Sequence, residues 1–236
     1  MALLHLLPGG DSRGAGGGSG SVLLRKKKAG PAAGWRGELT VEIYLVRHGE
    51  TDWNAQGKLQ GREDLPLNGN GKRQAMACGV ALSEAGFTAI YSSPLKRALE
   101  TAGELALYHP CGVTPDPALT ERDYGKLSGL TKDQRVAWEA RGLPSGKEHW
   151  QALAGRAMAA VDRRASEHGE NSRIAMVSHG AWINAVLAVL SRHEIGTGKT
   201  QLKNTCISVI RREGKGAEIV CYNLSPEEHS QWAAGR

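Results

Sequence analysis

A three-layer α/β fold, with a mainly parallel sheet between helices on both faces, is what this 236-residue sequence predicts. Three observations carry that reading. Short apolar, β-branched runs alternate with longer stretches whose apolar residues recur every three or four positions. The strand-like runs are apolar at consecutive positions, the pattern of strands covered on both faces. A 40% hydrophobic content over this length is enough to close a sizeable core.

Taken in order, residues 1–38 read as a disordered glycine-rich and basic tail. GGDSRGAGGGSG has seven glycines in twelve residues, and RKKKAGPAAG comes after it. The folded domain is expected over 39–225, with a C-terminal tail over 226–236. Val41 to Val46 reads as the first strand. After an Asn68-Gly69 turn, Ala75, Cys78, Gly79 and Leu82 share one face of a helix over 70–83. Phe87 to Tyr91 is a second strand. Ser93-Pro94 then supplies a helix cap followed by proline at the first helical position, with Leu95, Ala98, Leu99, Ala102, Leu105 and Ala106 at helical spacing. Trp150, Leu153, Ala154, Ala157 and Val161 define another helix, Ile174 to Val177 a third strand, and Ala181 to Leu190 a largely apolar helix. Cys206 to Arg211 and Glu218 to Tyr222 are two last strands flanking the turn EGKG.

The formal charge of +6 is unevenly spread. Residues 1–40 carry Arg13, Arg25, Lys26, Lys27, Lys28 and Arg36 against Asp11 and Glu38, a net of +4. The basic character therefore belongs mostly to the tail, and nucleic acid is not an expected partner of the domain. Cys78, Cys111, Cys206 and Cys221 form no CxxC pair, so neither a redox motif nor a zinc site is signalled, and no metal is expected. ALLHLL is too short and lacks the flanks of a signal peptide. No window reaches the length of a membrane span, and a cytoplasmic protein without membrane association is expected.

In open α/β sheets, ligands sit beyond the carboxyl ends of the strands, where helix N-termini expose free N–H groups. Three such junctions here carry reactive groups: Arg47-His48-Gly49, SSPLKR with Arg97 in the first helical turn, and Ser178-His179-Gly180. A strand-terminal His-Gly alone is commonly a turn, and a lone helix arginine is commonly solvated. Two arginines, two histidines and exposed amides at matching junctions instead suit a phosphoryl group, because guanidinium forks match phosphate oxygens.

VRHGETDWN, SSPLKRALETA, TERDYG and VSHGAWI, in this order, resemble the phosphoglycerate mutase-like branch of the histidine phosphatase superfamily, from about Val41 to Ser208. The resemblance implies a phosphoglycerate mutase-like fold, with His48 as a nucleophile that becomes phosphohistidine. It implies that Arg47, Arg97 and His179 hold the phosphoryl oxygens, with Asn54, Gln60, Gly61 and Gly180 as further phosphate contacts. Glu121 would be the proton donor and acceptor, since an alkoxide leaving group must be protonated as it departs. The chemistry is sensible on its own terms: a neutral imidazole is a competent nucleophile, and two fixed arginines supply charge stabilisation without magnesium.

The choice between branches turns on the residues from Glu121 to Arg156. ERDYGKLSGLTK resembles the mutase form and would align Arg122, Tyr124 and Lys132 with substrate contacts. The mutases' WRR segment and proline-rich loop are missing, and PSGKEHW, with Arg156 beyond it, is similar to the PxGES loop of short phosphatases, with Lys147 interrupting the Gly-Glu pair before Glu148. The expected activity is a metal-independent phosphomonoesterase acting on small phosphate esters without a cofactor. The alternatives are a mutase dependent on 2,3-bisphosphoglycerate, or α-ribazole phosphatase as the specific activity. A catalytically silent phosphate- or RNA-binding module rests only on the basic tail. The oligomeric state is not signalled.

Overall fold

A computed structural model describes residues 40–214 and 216–236, so the tail expected over 1–38 lies outside the described residues. The strands are β1 (Thr40–Arg47), β2 (Ala89–Ser92), β3 (Val113–Pro115), β4 (Ser172–Ser178), β5 (Ile207–Glu213) and β6 (Gly216–Leu224). They form one sheet in the order β3-β2-β4-β1-β5-β6. β1 to β4 are mutually parallel, β5 is antiparallel to β1, and β6 is antiparallel to β5. The helices are α1 (Asp52–Ala55), α2 (Gly69–Ala81), α3 (Lys96–Ala106), α4 (Lys132–Ala140), α5 (Trp150–Ser166), α6 (Gly180–Leu190) and α7 (Pro226–Ala234).

The consecutive apolar residues of β1 divide between two cores, because side chains alternate across a strand. Ile43 and Leu45 join Ile174 and Met176 under α5 and α6, with Leu153, Ala157, Val161, Trp182 and Val186. Tyr44 and Val46 join Ala175 and Val177 on the other face, where Cys78 from α2 and Leu82, just past its end, meet Ala98, Ala102 and Leu105 from α3. Each such fully buried large side chain contributes roughly 1.5–3 kcal/mol. Close approach fixes where β1's loop crosses α2: a Cβ on Gly71 would overlap the Glu50 carbonyl, and one on Gly49 would lie 2.6 Å from the Gly71 oxygen.

Several expected boundaries move. Asn68 is the cap of α2 rather than part of a turn, its Oδ1 accepting from Gly71 N at 2.8 Å. α3 begins two residues later than Ser93-Pro94 suggested, and Leu95 caps it with no side-chain hydrogen bond. Asp64 Oδ1 accepts from Lys96 N at 2.7 Å instead, and the Ser93 hydroxyl, which accepts from Leu95 N at 3.4 Å, is closer to His179 Nε2 at 2.7 Å. The stretch 226–236, expected as a tail, holds α7. Ser225 and Glu228 close a capping box there, Pro226 sits in the first turn, and Trp232 packs on the core.

α7 also places His229, which is 3% exposed, against the rings of Tyr44 and Trp232. Burial pushes its pKa down to about 4. The unfolded chain therefore takes up this proton near pH 6.5 and the folded chain only near 4. His229's contribution is intact above pH 6.5 and is lost as the pH falls through that window, about 2–3 kcal/mol by pH 4.5. Urea unfolding at pH 7 and 4.5 should show His229→Phe losing less stability on acidification than wild type by that amount. Equal losses would remove His229 as a source of acid sensitivity.

Candidate active site

Strand register lays the floor of the site. Arg47 lies opposite Ser178, and Ser92 opposite Val177. The ladder continues one residue further, with His48 N donating to Ser178 O at 3.0 Å and Ser93 N to Val177 O at 2.9 Å. His48, Ser93 and His179 thus leave the sheet side by side.

His48 is buried, and its Nδ1 lies 2.6 Å from the Gly49 carbonyl oxygen. A carbonyl only accepts, so Nδ1 carries the ring proton and Nε2 keeps its lone pair. Burial, and then the charges of Arg97 and Arg47, hold the imidazole pKa well below the ordinary histidine value, against a smaller opposing pull from the Gly49 bond. The ring is neutral at pH 7. His179 stands 5.1 Å away between ring centroids, with Nε2 at 2.7 Å from Ser93 Oγ. Its Nδ1 is buried without a hydrogen-bond partner among the described residues. Burial, followed by the charges of Arg97 and His48, depresses its pKa as well.

Arg97 is fully buried and donates Nη1 to Glu63 O at 2.6 Å and Nη2 to Gly61 O at 2.8 Å. Burial lowers its pKa to about 10, opposed by the negative charges of Glu121 and Asp64, so the guanidinium stays charged at pH 7. Arg47 donates Nη1 to Leu202 O at 2.5 Å. The Nε of each arginine is buried and has no hydrogen-bond partner among the described residues. Two desolvated guanidiniums held by neutral carbonyls, with nitrogens left over, form a receptor for an anion with several oxygens.

Glu121 occupies the N-terminus of α6. Its Oε1 accepts from Arg122 N at 2.8 Å and Trp182 N at 3.1 Å, and its Oε2 from Ala181 N at 3.2 Å. Arg156 on α5 secures the backbone around it, donating to the carbonyls of Ala118 (3.1 Å), Thr120 (2.6 Å) and Glu121 (3.0 Å). Glu148 grips the same guanidinium with both oxygens, at 2.8 and 3.0 Å. Despite the Lys147 interruption, Glu148 therefore has a defined place: it holds the arginine that holds Glu121's segment.

The remaining expected contacts are divided. Asn54 Oδ1 takes Thr51 N at 3.2 Å and Asn204 Nδ2 at 3.3 Å. Gln60 is buried, its Oε1 without a partner among the described residues. Gly61, at φ +56°, has its carbonyl committed to Arg97, and a Cβ there would meet Ser128 Oγ at 2.9 Å. Gly180 opens α6 beside Arg47. Arg47, Asn54 and Gly180 also line a cavity of about 670 Å³ that reaches the surface at Gly57 and Gln201.

Residues 43–225 match the family model described as the histidine phosphatase superfamily (branch 1). The chain belongs to that superfamily. It is 34% identical over 183 residues to an uncharacterized phosphatase, PhoE, of Bacillus subtilis (strain 168), covering 78% of this chain and 94% of that one. It is 36% identical over 180 residues to a probable phosphoglycerate mutase, GpmB, of Proteus mirabilis (strain HI4320), covering 71% and 83%. A phosphoserine phosphatase mutant from Entamoeba histolytica, solved with phosphoserine, superposes with a TM-score of 0.67 at 30% identity, covering 80% of this chain and 98% of the other.

Within this histidine phosphatase fold, the mutase-like segment is split. Arg122 is tied to the Glu148 carbonyl through Nε (2.9 Å) and Nη2 (2.7 Å), and Tyr124 has its pKa raised, chiefly by burial. Lys132 is exposed at the start of α4. Arg135, nearly one turn on, lines the cavity instead. Sequence reasoning missed the pairing of Ser93, read as a helix cap, with His179, and Thr101, whose Oγ1 accepts from Gly49 N at 3.1 Å. It also missed Lys58, Arg135, Asn184 and Asn204, which meet only across long loops.

Proposed function

We propose that this histidine phosphatase is a phosphomonoesterase that hydrolyses small phosphate esters through phosphohistidine at His48, with Glu121 as the proton donor and acceptor. The observation that carries the reading is the His48–Gly49 hydrogen bond, which presents a neutral Nε2 lone pair beside two buried guanidiniums. Nε2 attacks phosphorus, the ester P–O bond breaks, and the departing oxygen takes a proton from the Glu121 carboxyl. Water then attacks the phosphorus of phosphohistidine, its proton passes to Glu121, the P–N bond breaks and inorganic phosphate leaves. Arg47 and Arg97 balance the charge on the equatorial oxygens, which is where phosphoryl transfer needs help.

Hydrolysis rather than mutase transfer is supported by the cavity alongside Arg47, which gives water a route to the site, and by α4, which buries no residue and so forms a thin cover. The names of the Bacillus and Entamoeba relatives point the same way. The mutase reading has in its favour the name of the Proteus relative and the ERDYG segment. Assays of the whole chain with 3-phosphoglycerate decide between them. Inorganic phosphate should appear at least as fast as any 2-phosphoglycerate, with or without added 2,3-bisphosphoglycerate. Fast isomerisation with little phosphate release would defeat hydrolysis.

A further inference from the structure

Thr101 presents a buried hydroxyl one turn beyond Arg97 on α3, and no step of the proposed reaction uses it. Its bonding roles are fixed. Oγ1 lies 2.7 Å from Arg97 O, and a carbonyl only accepts, so the hydroxyl proton goes there. The oxygen's lone pair then takes Gly49 N, at 3.1 Å. Among the described residues this hydroxyl is the acceptor that the buried Gly49 N has.

The peptide plane between His48 and Gly49 is gripped from both sides. His48 O accepts from Thr205 N at 3.3 Å and Asn204 Nδ2 at 3.2 Å, while Thr101 holds Gly49 N. Gly71 O closes a further side, 2.6 Å from where a Cβ on Gly49 would stand. Residue 49 is thereby kept from turning, and its own carbonyl stays 2.6 Å from His48 Nδ1. That carbonyl keeps the ring proton off Nε2. A neutral imidazole without such a partner carries its proton on either nitrogen, and in water mostly on Nε2, the form with no lone pair to offer phosphorus.

We infer that Thr101 is a positioning residue for the nucleophile: by anchoring Gly49 N it holds the Gly49 carbonyl on His48 Nδ1, and so selects the tautomer in which Nε2 is bare. This deepens the phosphomonoesterase reading and rests on His48 as its nucleophile. Because the same hydroxyl is bonded to the Arg97 carbonyl, it also ties the helix of one phosphoryl ligand to the loop of the nucleophile. Thr101→Val keeps the shape and removes the acceptor, leaving a buried N–H with no partner. Such a group is costly enough that the backbone turns to find one, and the Gly49 carbonyl turns with it. The Arg97 carbonyl loses less, since it keeps its place in the helix ladder.

Nitrogen NMR of the histidine-labelled whole chain reads the proton position directly, with the His48 signals assigned by their absence from His48→Ala. Wild type and Thr101→Ser should show His48 protonated at Nδ1 and bare at Nε2, and Thr101→Val a mixture of the two forms. The kcat for an alkyl phosphate should fall about 10–100-fold in Thr101→Val, the usual loss when the group orienting a working histidine is disturbed, and return towards wild type in Thr101→Ser. Inorganic phosphate should bind wild type and Thr101→Val alike by calorimetry, because neither guanidinium is touched. An unchanged His48 signal in Thr101→Val would overturn the inference whatever kcat does, and weaker phosphate binding beside it would assign the hydroxyl to Arg97 instead. Thr101→Ser behaving like Thr101→Val would overturn it as well. Circular dichroism checks the fold, and Thr101→Ala replaces the valine variant if that one does not fold. The spectra need no turnover, so absence of phosphate release from every ester would defeat the phosphomonoesterase reading while the tautomer still decides what Thr101 does.

Discussion

His48→Ala should abolish turnover, by at least about 10⁴-fold, while leaving the fold in place. The backbone bond from residue 48 to Ser178 O survives the substitution, and among the described residues the imidazole's only hydrogen bond is to the adjacent Gly49 carbonyl. Removing a side chain held neutral by burial strips away no ion pair. Wild type mixed with a labelled phosphoester and quenched in alkali should retain label that acid releases, the signature of a phosphorus–nitrogen bond. The variant should retain none, and circular dichroism should be unchanged. Equal labelling of the two proteins would remove His48 from the nucleophile's role.

Glu121→Gln should slow alkyl phosphate hydrolysis by ~10²–10⁴ and p-nitrophenyl phosphate far less. The amide keeps an oxygen for Arg122 N and Trp182 N but turns an NH₂ toward Ala181 N, whose bond to the carboxylate is the longest of the three at 3.2 Å. The structural cost is therefore confined to one weak contact, and the chemical cost appears only where the leaving oxygen needs a proton. Nitrophenolate departs without one. The same loss with both leaving groups, with a burst showing that cleavage rather than dephosphorylation limits both, would exclude Glu121 as the donor.

The parallel strands were legible because burial on both faces writes itself as a continuous apolar run, and β1 with β4 shows that pattern fully. β3 could not be read: three edge residues, Val113 to Pro115, carry no period. α4 and α7 were missed for a related reason. α4 buries nothing, α7 buries only His229, and a periodicity search looks for a buried stripe. Their capping boxes, Thr131 with Gln134 and Ser225 with Glu228, were the local signals that could have found them. The positions of His48 and His179 were legible because each follows directly on a strand, β1 and β4. Lys58, Arg135 and Asn184 come from three distant segments, and nothing in the spacing of any one announces the others.

The absence of a buried side chain on α4 has a consequence for how such a protein can change. α4 adds little to the core, whereas His48 and Ser93 are anchored in the sheet's own ladder. Substitutions along α4 come at small cost in stability, whereas side-chain substitutions at the strand ends fall on the chemistry and spare the backbone ladder. Variation along the helix is thereby decoupled from the strand ends, and α4 can change in sequence without the domain passing through unstable intermediates.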